Sequence, residues 1–420
     1  MAPVRLNPAL SLSDESAPKK IALAYSGGLD SSCIISWLKE RYDCEVIAVA
    51  ADVGQPDGLS AVEAKALASG ASTCYVLDLR DEFLTGSVYP TVRAGAAFER
   101  TYLLGAAMAR PLIAKHQVEI ALREGCDALA HGGAGAGNDQ DRFELTYQAL
   151  APMLRVIAPA RMWDIRSRED AIAYAEAHGI PVTATTARMY SIDGNPWPRR
   201  HDGGPREDRW PEPPAAAHGL MVAPEQAAQV TMTFERGTPV MIDGQRLDAV
   251  DLAGVLNELG AAHGVGRVDP WQNGLVATKR GGVYESPGGA LLATAHRELE
   301  LRTLDNATMR LKDLLAHVYA DVVYNGHWYS PLREALDAFV TKTQEPVTGE
   351  VRLKLDQGTR HAVGRRSPIG RYDEDLATFG ADDVSQRAGA DGFVRLFGLG
   401  QNVAARRDRR LLEQDMEMLR

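Results

Sequence analysis

Cysteine is scarce in this chain: four in 420 residues, at Cys33, Cys44, Cys74 and Cys126. Their irregular spacing frames neither a metal site nor a disulfide network, so a reducing cytoplasm is the expected compartment. No apolar run approaches the length of a bilayer span, and no membrane partner is expected. The opening residues, Met1 to Ala17, hold prolines and serines but no apolar leader core, and 1–18 are expected to form a flexible tail. No tandem repeat stands out. A basic excess is also missing: 46 Lys and Arg stand against 56 Asp and Glu, a formal charge of -10. That balance argues against a nucleic-acid partner. Finally, no G-x-x-x-x-G-K occurs, which excludes a Walker-type phosphate loop.

What is present is ordinary globular usage, 45% apolar and 24% charged, in a chain long enough for two cores. Short apolar runs alternate with amphipathic ones. Strands are expected at Ile21–Tyr25, Val46–Ala50, Cys74–Leu77, Ala128–Ala130 and Val156–Ala158, with helices at Ser32–Tyr42, Leu59–Ser69 and Tyr102–Glu124. Strands separated by helices predict an α/β fold with a parallel sheet covered on both faces. Ligands of such sheets bind beyond the carboxyl ends of the strands. After about Pro181 the texture changes. Asn195 to Pro214 reads as a long connecting loop. Hairpin material follows at Val230–Phe234 and Val240–Ile242, with helices at Val250–His263 and Leu304–Tyr324 and another hairpin from Glu350. This is expected to be an α+β domain, closed by a C-terminal helix over Ala404–Arg420 that docks on a neighbouring subunit or frays as a solvated tail.

The strongest local signal is Ala24-Tyr25-Ser26-Gly27-Gly28-Leu29-Asp30-Ser31-Ser32, between the first strand and the first helix. Paired glycines permit a tight turn with exposed N–H groups, the serines add donors, and the helix N-terminus behind them favours an anion. Asp30, acidic beside a phosphate site, suits Mg2+ or a helix cap. A plain N-cap and turn would explain two or three of these residues but not the string. As a whole, S-G-G-x-D-S resembles the pyrophosphate loop of N-type ATP pyrophosphatases, which cleave ATP between the α and β phosphates and transfer AMP.

Further segments narrow the resemblance. Ala51-Asp52-Val53-Gly54-Gln55, Tyr102-Leu103-Leu104-Gly105, Ala109-Arg110-Pro111, Asn138-Asp139-Gln140 with Arg142-Phe143-Glu144, and Tyr190-Ser191-Ile192-Asp193 are similar to the argininosuccinate synthase family. So are Asn195-x-Trp197-x-Arg199, His263-Gly264-Val265-Gly266-Arg267, Val283-Tyr284-Glu285-x-Pro287 and Gly389-Ala390-Asp391-Gly392-Phe393. The likeness runs from about Lys20 to about Val403.

It implies an adenine nucleotide alpha hydrolase-like domain over 19–182, a synthetase and multimerisation domain over 183–402, and an oligomerisation helix over 403–420, assembled as a homotetramer. It also implies ATP and Mg2+, no other cofactor and no resident metal site. In the family's chemistry the ureido oxygen of citrulline attacks the α-phosphorus of ATP, pyrophosphate leaves, and the amine of aspartate displaces AMP. Such catalysis is mainly positioning and charge neutralisation. By the same resemblance Ala24 to Ser32, Ala51, His131, Gly132 and Gly137 hold ATP. Tyr102, Asn138, Arg142, Ser191, Arg200, Gln272 and Tyr284 face the citrulline-like substrate. Ala134, Asn138 and Asp139 face the amine donor, and Asp30, Asn138, Asp139 and Arg142 carry the catalytic roles. Singly, Tyr102 as a packed helix residue, Arg142 as an ion-pair partner or Tyr284 as a strand aromatic would be unremarkable.

The chain also departs from the family pattern. Ala134 stands for a threonine, Ala136 for a lysine, Ala106 and Ala107 for threonine and serine, Gln272 for a glutamate, and Arg200 for a serine. These changes gather on ligand contacts while the phosphate loop is intact. Two further readings therefore stay open: a specialised paralog with altered substrates, and a non-catalytic nucleotide-binding paralog. A tRNA-modifying pyrophosphatase is disfavoured by the absence of paired cysteines and by the acidic balance.

Overall fold

The computed structural model describes residues 17–55, 59, 61–133, 138–181, 190–194, 197, 199–203, 226–273, 279–371 and 384–418. For 190–194, 199–203, 279–281 and 384–388, and for positions 415 and 417, only the backbone element is described. Two compact units emerge, one reaching Gly370 and the other starting at Arg371.

The first unit begins with the α/β sheet foreseen from the alternating pattern. Strands β1 (Lys20–Ala24), β2 (Glu45–Asp52), β3 (Thr73–Asp78), β4 (Ala128–Ala130) and β5 (Arg155–Ile157) lie in the order β3-β2-β1-β4-β5, all parallel. Alternation along β1 sends Ile21 and Leu23 to one face and Ala22 to the other. Helix α1 (Leu29–Tyr42) covers the first face through Ile34, Ile35 and Leu38. The opposite face is covered by α5 (Gly105–Arg123) through Ala114, Val118 and Ala121, and by α6 (Asn138–Leu150) through Phe143 and Tyr147. The chain leaves β1 toward β2 and β3, then returns to build β4 and β5 on the other side. Adjacent connections thus diverge between β1 and β4, which opens a crevice beyond the carboxyl ends of those strands. Buried Gln117 of α5 ties the two strands there, its amide donating to the carbonyls of Ala22 and Ala130 at 2.8 and 2.9 Å.

Helix α2 (Val62–Ala68) follows β2, while α3 (Arg80–Phe83), a π-helical turn over Leu84–Val88 and α4 (Tyr89–Ala94) follow β3. Helix α7 (Arg168–Ala177) starts with a capping box in which the Ser167 side chain accepts from Asp170 N–H and the Asp170 carboxylate accepts from Ser167 N–H.

The remainder of this unit is antiparallel sheet and helix. A four-stranded sheet has the order β11-β14-β7-β6, with β6 Tyr190–Gly194, β7 Arg199–Gly203, β11 Arg267–Val268 and β14 Val283–Glu285. Strand β7 therefore occupies part of the stretch expected as loop; its Arg-His-Asp composition hides a strand that its neighbours' hydrogen bonds create. Strands β12 (Trp271–Asn273) and β13 (Lys279–Gly281) form a separate pair. A five-stranded sheet joins β8 (Ala228–Glu235), β9 (Thr238–Ile242), β10 (Gln245–Arg246), β15 (Gly349–Asp356) and β16 (Thr359–Arg366) in the order β10-β9-β8-β15-β16. Helices α8 (Ala249–Ala262), α9 (Pro287–Thr303), α10 (Asn306–Tyr324) and α11 (Pro331–Gln344) complete the core, with Met232, Phe234, Leu291, Leu299, Val351 and Leu353 at its centre.

Among the described residues of the second unit are two helices, Val384–Phe397 and Leu399–Met418. The latter begins five residues earlier than the sequence suggests, and it exposes Leu399, Val403, Leu411 and Leu412.

Candidate active site

The turn after β1 is held by its own side chains. Gly27 takes a φ of +76°, a left-handed value that glycine adopts without a Cβ clash. Gly28, extended at φ -74° and ψ 173°, is the N-cap residue of α1, and no side chain caps the helix. The first turn closes with Ser32 N–H donating to Gly28 C=O at 3.1 Å, so the three amides before it lie at the helix mouth without an intrahelical acceptor. Ser32 Oγ donates to Gly28 C=O at 2.8 Å and pairs with Tyr25 Oη at 3.0 Å. Ser26 and Ser31 share a hydrogen bond at 3.0 Å. Tyr25, Ser31 and Ser32 are buried, whereas Ser26, Gly28 and Asp30 are exposed. The loop thus has a buried hydroxyl floor beneath a solvent-facing rim of backbone amides, the arrangement an anion requires.

Both neighbouring strands bring predicted residues to the same sheet end. Ala51 lies near the end of β2, where the turn is closed by Gln55 donating to Ala51 C=O at 2.9 Å and by Gly54 N–H donating to Asp52 at 2.7 Å. His131 follows β4 and is fully buried; its ring pairs with Glu144 at 3.1 Å through Nε2, and its Nδ1 accepts from Gly133 N–H at 3.1 Å. The histidine contact is the foremost cause holding the Glu144 carboxyl below its usual range. Gly132 lies so near α1 that an added Cβ would sit 3.2 Å from Ile34 Cδ1. Ala134, Ala136 and Gly137 fall outside the described residues.

Asn138 and Asp139, grouped with the preceding glycine turn in the sequence, are the first two residues of α6. Asp139 is gripped from two sides: Arg110 Nε donates at 3.2 Å and the Arg142 guanidinium at 2.7 Å. Burial raises the carboxyl's pKa, but the two guanidinium groups outweigh that and bring it down to about 2. Arg142 is 4% exposed and also donates through Nε and a terminal nitrogen to the Tyr324 carbonyl, at 3.1 and 3.0 Å. Two of its nitrogens thus join α6 to the end of α10, while the third holds Asp139 within α6. Arg110 carries no role in the sequence reading beyond its place in Ala109-Arg110-Pro111; its signal, an arginine in the apolar first half of α5, is legible only once Asp139 is opposite.

From Tyr324 an aromatic wall leads to the remaining predicted residues. The Arg142 guanidinium lies 5.1 Å from the Tyr324 ring, Phe98 stacks on that ring at 3.5 Å, and Tyr102 meets it edge-on at 6.3 Å. Tyr102 then contacts Tyr284 at 4.6 Å between ring centroids. The loop carrying Tyr102 includes Glu99, Arg100 and Leu104 at left-handed φ values of 49°, 66° and 65°. Such backbone is costly for branched side chains and persists where packing fixes it, as it does for fully buried Leu104. Tyr284 sits in the middle of β14, where its register partner on β7 is Arg200. Its hydroxyl donates to Gln272 Oε1 at 3.1 Å; Gln272 is 6% exposed, and among the described residues its Nε2 has no hydrogen-bond partner. Ser191 lies on β6, whose register with β7 pairs Ser191 with Asp202. The side chains of Ser191 and Arg200 are outside the description. Phe98 and Tyr324 were missed in the sequence because single aromatics in helical or loop text carry no pattern of their own.

A hydroxyl-lined loop at the switch point of a β3-β2-β1-β4-β5 parallel sheet defines a nucleotide-binding α/β domain of the HUP class, and residues 20–181 match the model of the argininosuccinate synthase N-terminal HUP domain. Residues 190–404 match the argininosuccinate synthase C-terminal domain. The chain is 55% identical over 391 residues to the argininosuccinate synthase of Roseiflexus castenholzii, covering 92% of this chain and 97% of that protein. It is 54% identical to the argininosuccinate synthase of Moorella thermoacetica over 92% and 96% of the two chains, and 55% identical to that of Desulforamulus reducens over 92% and 97%. The chain belongs to the argininosuccinate synthase family. Among the described residues no helix is long and apolar enough to cross a membrane.

Proposed function

We propose that this protein is an AMP-forming carbon–nitrogen ligase that adenylates citrulline with ATP, releases pyrophosphate, and lets the amine of aspartate displace AMP. The observation that carries the reading is the exposed amide rim of Ser26–Asp30 facing the crevice between β1 and β4, in a chain of this family. The loop neutralises the departing diphosphate through backbone dipoles and hydroxyls. Ala51 and the segment from His131 to Gly137 flank the nucleoside. Asp30, exposed in the first turn of α1, is the carboxylate that would hold Mg2+, which would offset phosphate charge at the loop.

Asp139 stays ionised because two arginines grip it, so it accepts a proton donor such as a substrate ammonium at any physiological pH. Arg142 fixes that carboxylate and the Tyr324 carbonyl together. Tyr102, Tyr284, Asn138, Ser191, Arg200 and Gln272 orient the ureido acid along the aromatic wall, and Ala134, Asn138 and Asp139 border the amine donor. The assembly is a cytoplasmic homotetramer built through the helix Leu399–Met418. Purified protein given ATP, Mg2+, citrulline and aspartate should release pyrophosphate and AMP in equal amounts, and Asp30→Ala should abolish the release. No product from the native protein over background would sink the ligase reading.

One observation favours a second reading, the same adenylation with altered partner molecules. Among the described residues the Gln272 amide beside the Tyr284 hydroxyl has no acceptor, and a buried donor without one costs on the order of 1–3 kcal/mol. A substrate that presents an oxygen there relieves that cost, whereas the neutral amide offers an ammonium no charge to pair with. A pyrophosphate-release screen across ureido acids decides between them. Citrulline as the fastest acceptor supports the first reading, and an acid lacking the α-ammonium supports the second.

A further inference from the structure

The phosphate loop has no lysine of its own, yet a lysine reaches it from another helix. Lys65 lies on α2, one turn beyond Val62, and its Nζ donates to the Gly27 carbonyl at 2.6 Å. Val62 presses on the same glycine, where an added Cβ would stand 3.0 Å from Val62 Cγ2. The side chain of Lys65 is half-buried, and among the described residues no carboxylate pairs with it. Burial lowers its pKa, which marks an ammonium removed from water without an anion to offset the cost.

An ammonium has three donors, and the Gly27 carbonyl takes one of them. The peptide between Gly27 and Gly28 is a rigid plane, so pulling its C=O toward α2 turns its N–H to the opposite side. That N–H donates to Ser26 Oγ at 3.3 Å on the exposed rim, a long bond that a phosphate oxygen can take over. Lysine, carbonyl and amide thus form one lever with a positive charge at its end.

We propose that Lys65 is the positioning cation of the pyrophosphate loop: it sets the Gly27–Gly28 peptide so that the Gly28 amide faces the diphosphate, and it supplies the loop with its missing positive charge. This rests on the ligase reading, because it assigns a diphosphate to the rim. It adds a residue that no pattern within the loop itself would indicate.

Calorimetric titration of the full chain with inorganic pyrophosphate, Mg-ATP and AMP tests the idea, using Lys65→Arg, Lys65→Gln and Lys65→Met. Glutamine keeps a donor for the Gly27 carbonyl but loses the charge, and pyrophosphate should bind about tenfold more weakly; methionine loses both, for about a hundredfold loss. Arginine should restore binding to within about threefold. AMP, which lacks the β and γ phosphates, should bind equally to all four proteins, and melting temperatures should coincide. A structural role alone would weaken AMP and pyrophosphate alike and lower the melting temperature, and that outcome overturns the proposal. Unchanged pyrophosphate and ATP affinity in Lys65→Met, with native binding intact, overturns it while leaving the ligase reading in place. A native protein that binds neither ATP nor pyrophosphate defeats the ligase reading itself.

Discussion

Two carboxylates in this molecule are each gripped by cationic side chains, and their surroundings differ sharply. Asp139 faces Arg110 and Arg142 at the start of α6, and its side chain keeps 31% of its surface exposed. Glu300 of α9 is 1% exposed; it accepts from Lys312 Nζ at 3.0 Å and from Gln344 Nε2 at 2.7 Å, while Gln344 Oε1 pairs with His296 Nε2 at 2.8 Å. Burial lowers the pKa of both His296 and Lys312. The Glu300 knot is closed on every side and serves to lock α9, α10 and α11. The Asp139 clamp leaves part of the carboxylate exposed. A buried charge needs partners in either place; only where a face stays open is the charge available to a ligand.

The largest effect expected from this contrast is on stability. Lys312→Met strands the Glu300 carboxylate in a dry core and should cost about 3–5 kcal/mol. The double variant Glu300→Gln with Lys312→Met removes the charge while keeping an amide for Gln344, and it should recover most of that loss. Denaturant unfolding measures both. A double variant as unstable as the single one would show that packing, and not charge, holds the knot.

Asp139→Asn should behave in the opposite manner. Its arginines retain the Tyr324 carbonyl and water as partners, so unfolding should weaken by only about 1–2 kcal/mol. Pyrophosphate release with citrulline and aspartate should fall by more than about a hundredfold. If stability falls as far as in Lys312→Met while activity persists, the two clamps are alike and the open face has no function.

Acid titration sharpens the comparison further. The folded carboxyl of Asp139 titrates at about 2, against about 3.9 for a free aspartate. Its stabilising increment is therefore complete above the unfolded value and disappears as pH falls through the folded one. The difference in unfolding free energy between the native chain and Asp139→Asn should be constant above about pH 5 and shrink by on the order of 1–2 kcal/mol toward pH 2. A difference that does not change with pH would place the effect outside ionisation.

The smallest expected effect lies in the loop that carries Tyr102. Arg100 is exposed and left-handed, so Arg100→Gly should stabilise the fold by about 0.5–1 kcal/mol, read as a rise in melting temperature. Should the same change also lower pyrophosphate release, the strained backbone is positioning Tyr102 for substrate.

Much of this was legible before any coordinates. The five parallel strands fall within a few residues of their expected positions, because apolar runs buried on both faces carry a strong local signal. The Ser26–Ser32 string announces its turn because glycine and hydroxyl residues act on their immediate neighbours. Sequence pattern failed where partners are remote. Strand β7 was expected as loop, since Arg199–Gly203 pairs only through distant β6 and β14. Helices α9 and α11 went unplaced, the first because its Pro287-Gly288-Gly289 start looks like a turn although proline in the first helical turn and small residues against α8 are what that packing requires.

What the sequence determined by itself is the parallel-sheet class, the phosphate turn and the set of residues shared with the family. Those depend on periodicity and on short-range backbone preference. Only the tertiary structure decided that Lys65 reaches Gly27 from 38 positions away, that Arg142 is bound to a carbonyl 182 positions on, and that Tyr102 meets Tyr284. Contacts of that range depend on how whole elements pack, and no local pattern of residue types encodes them.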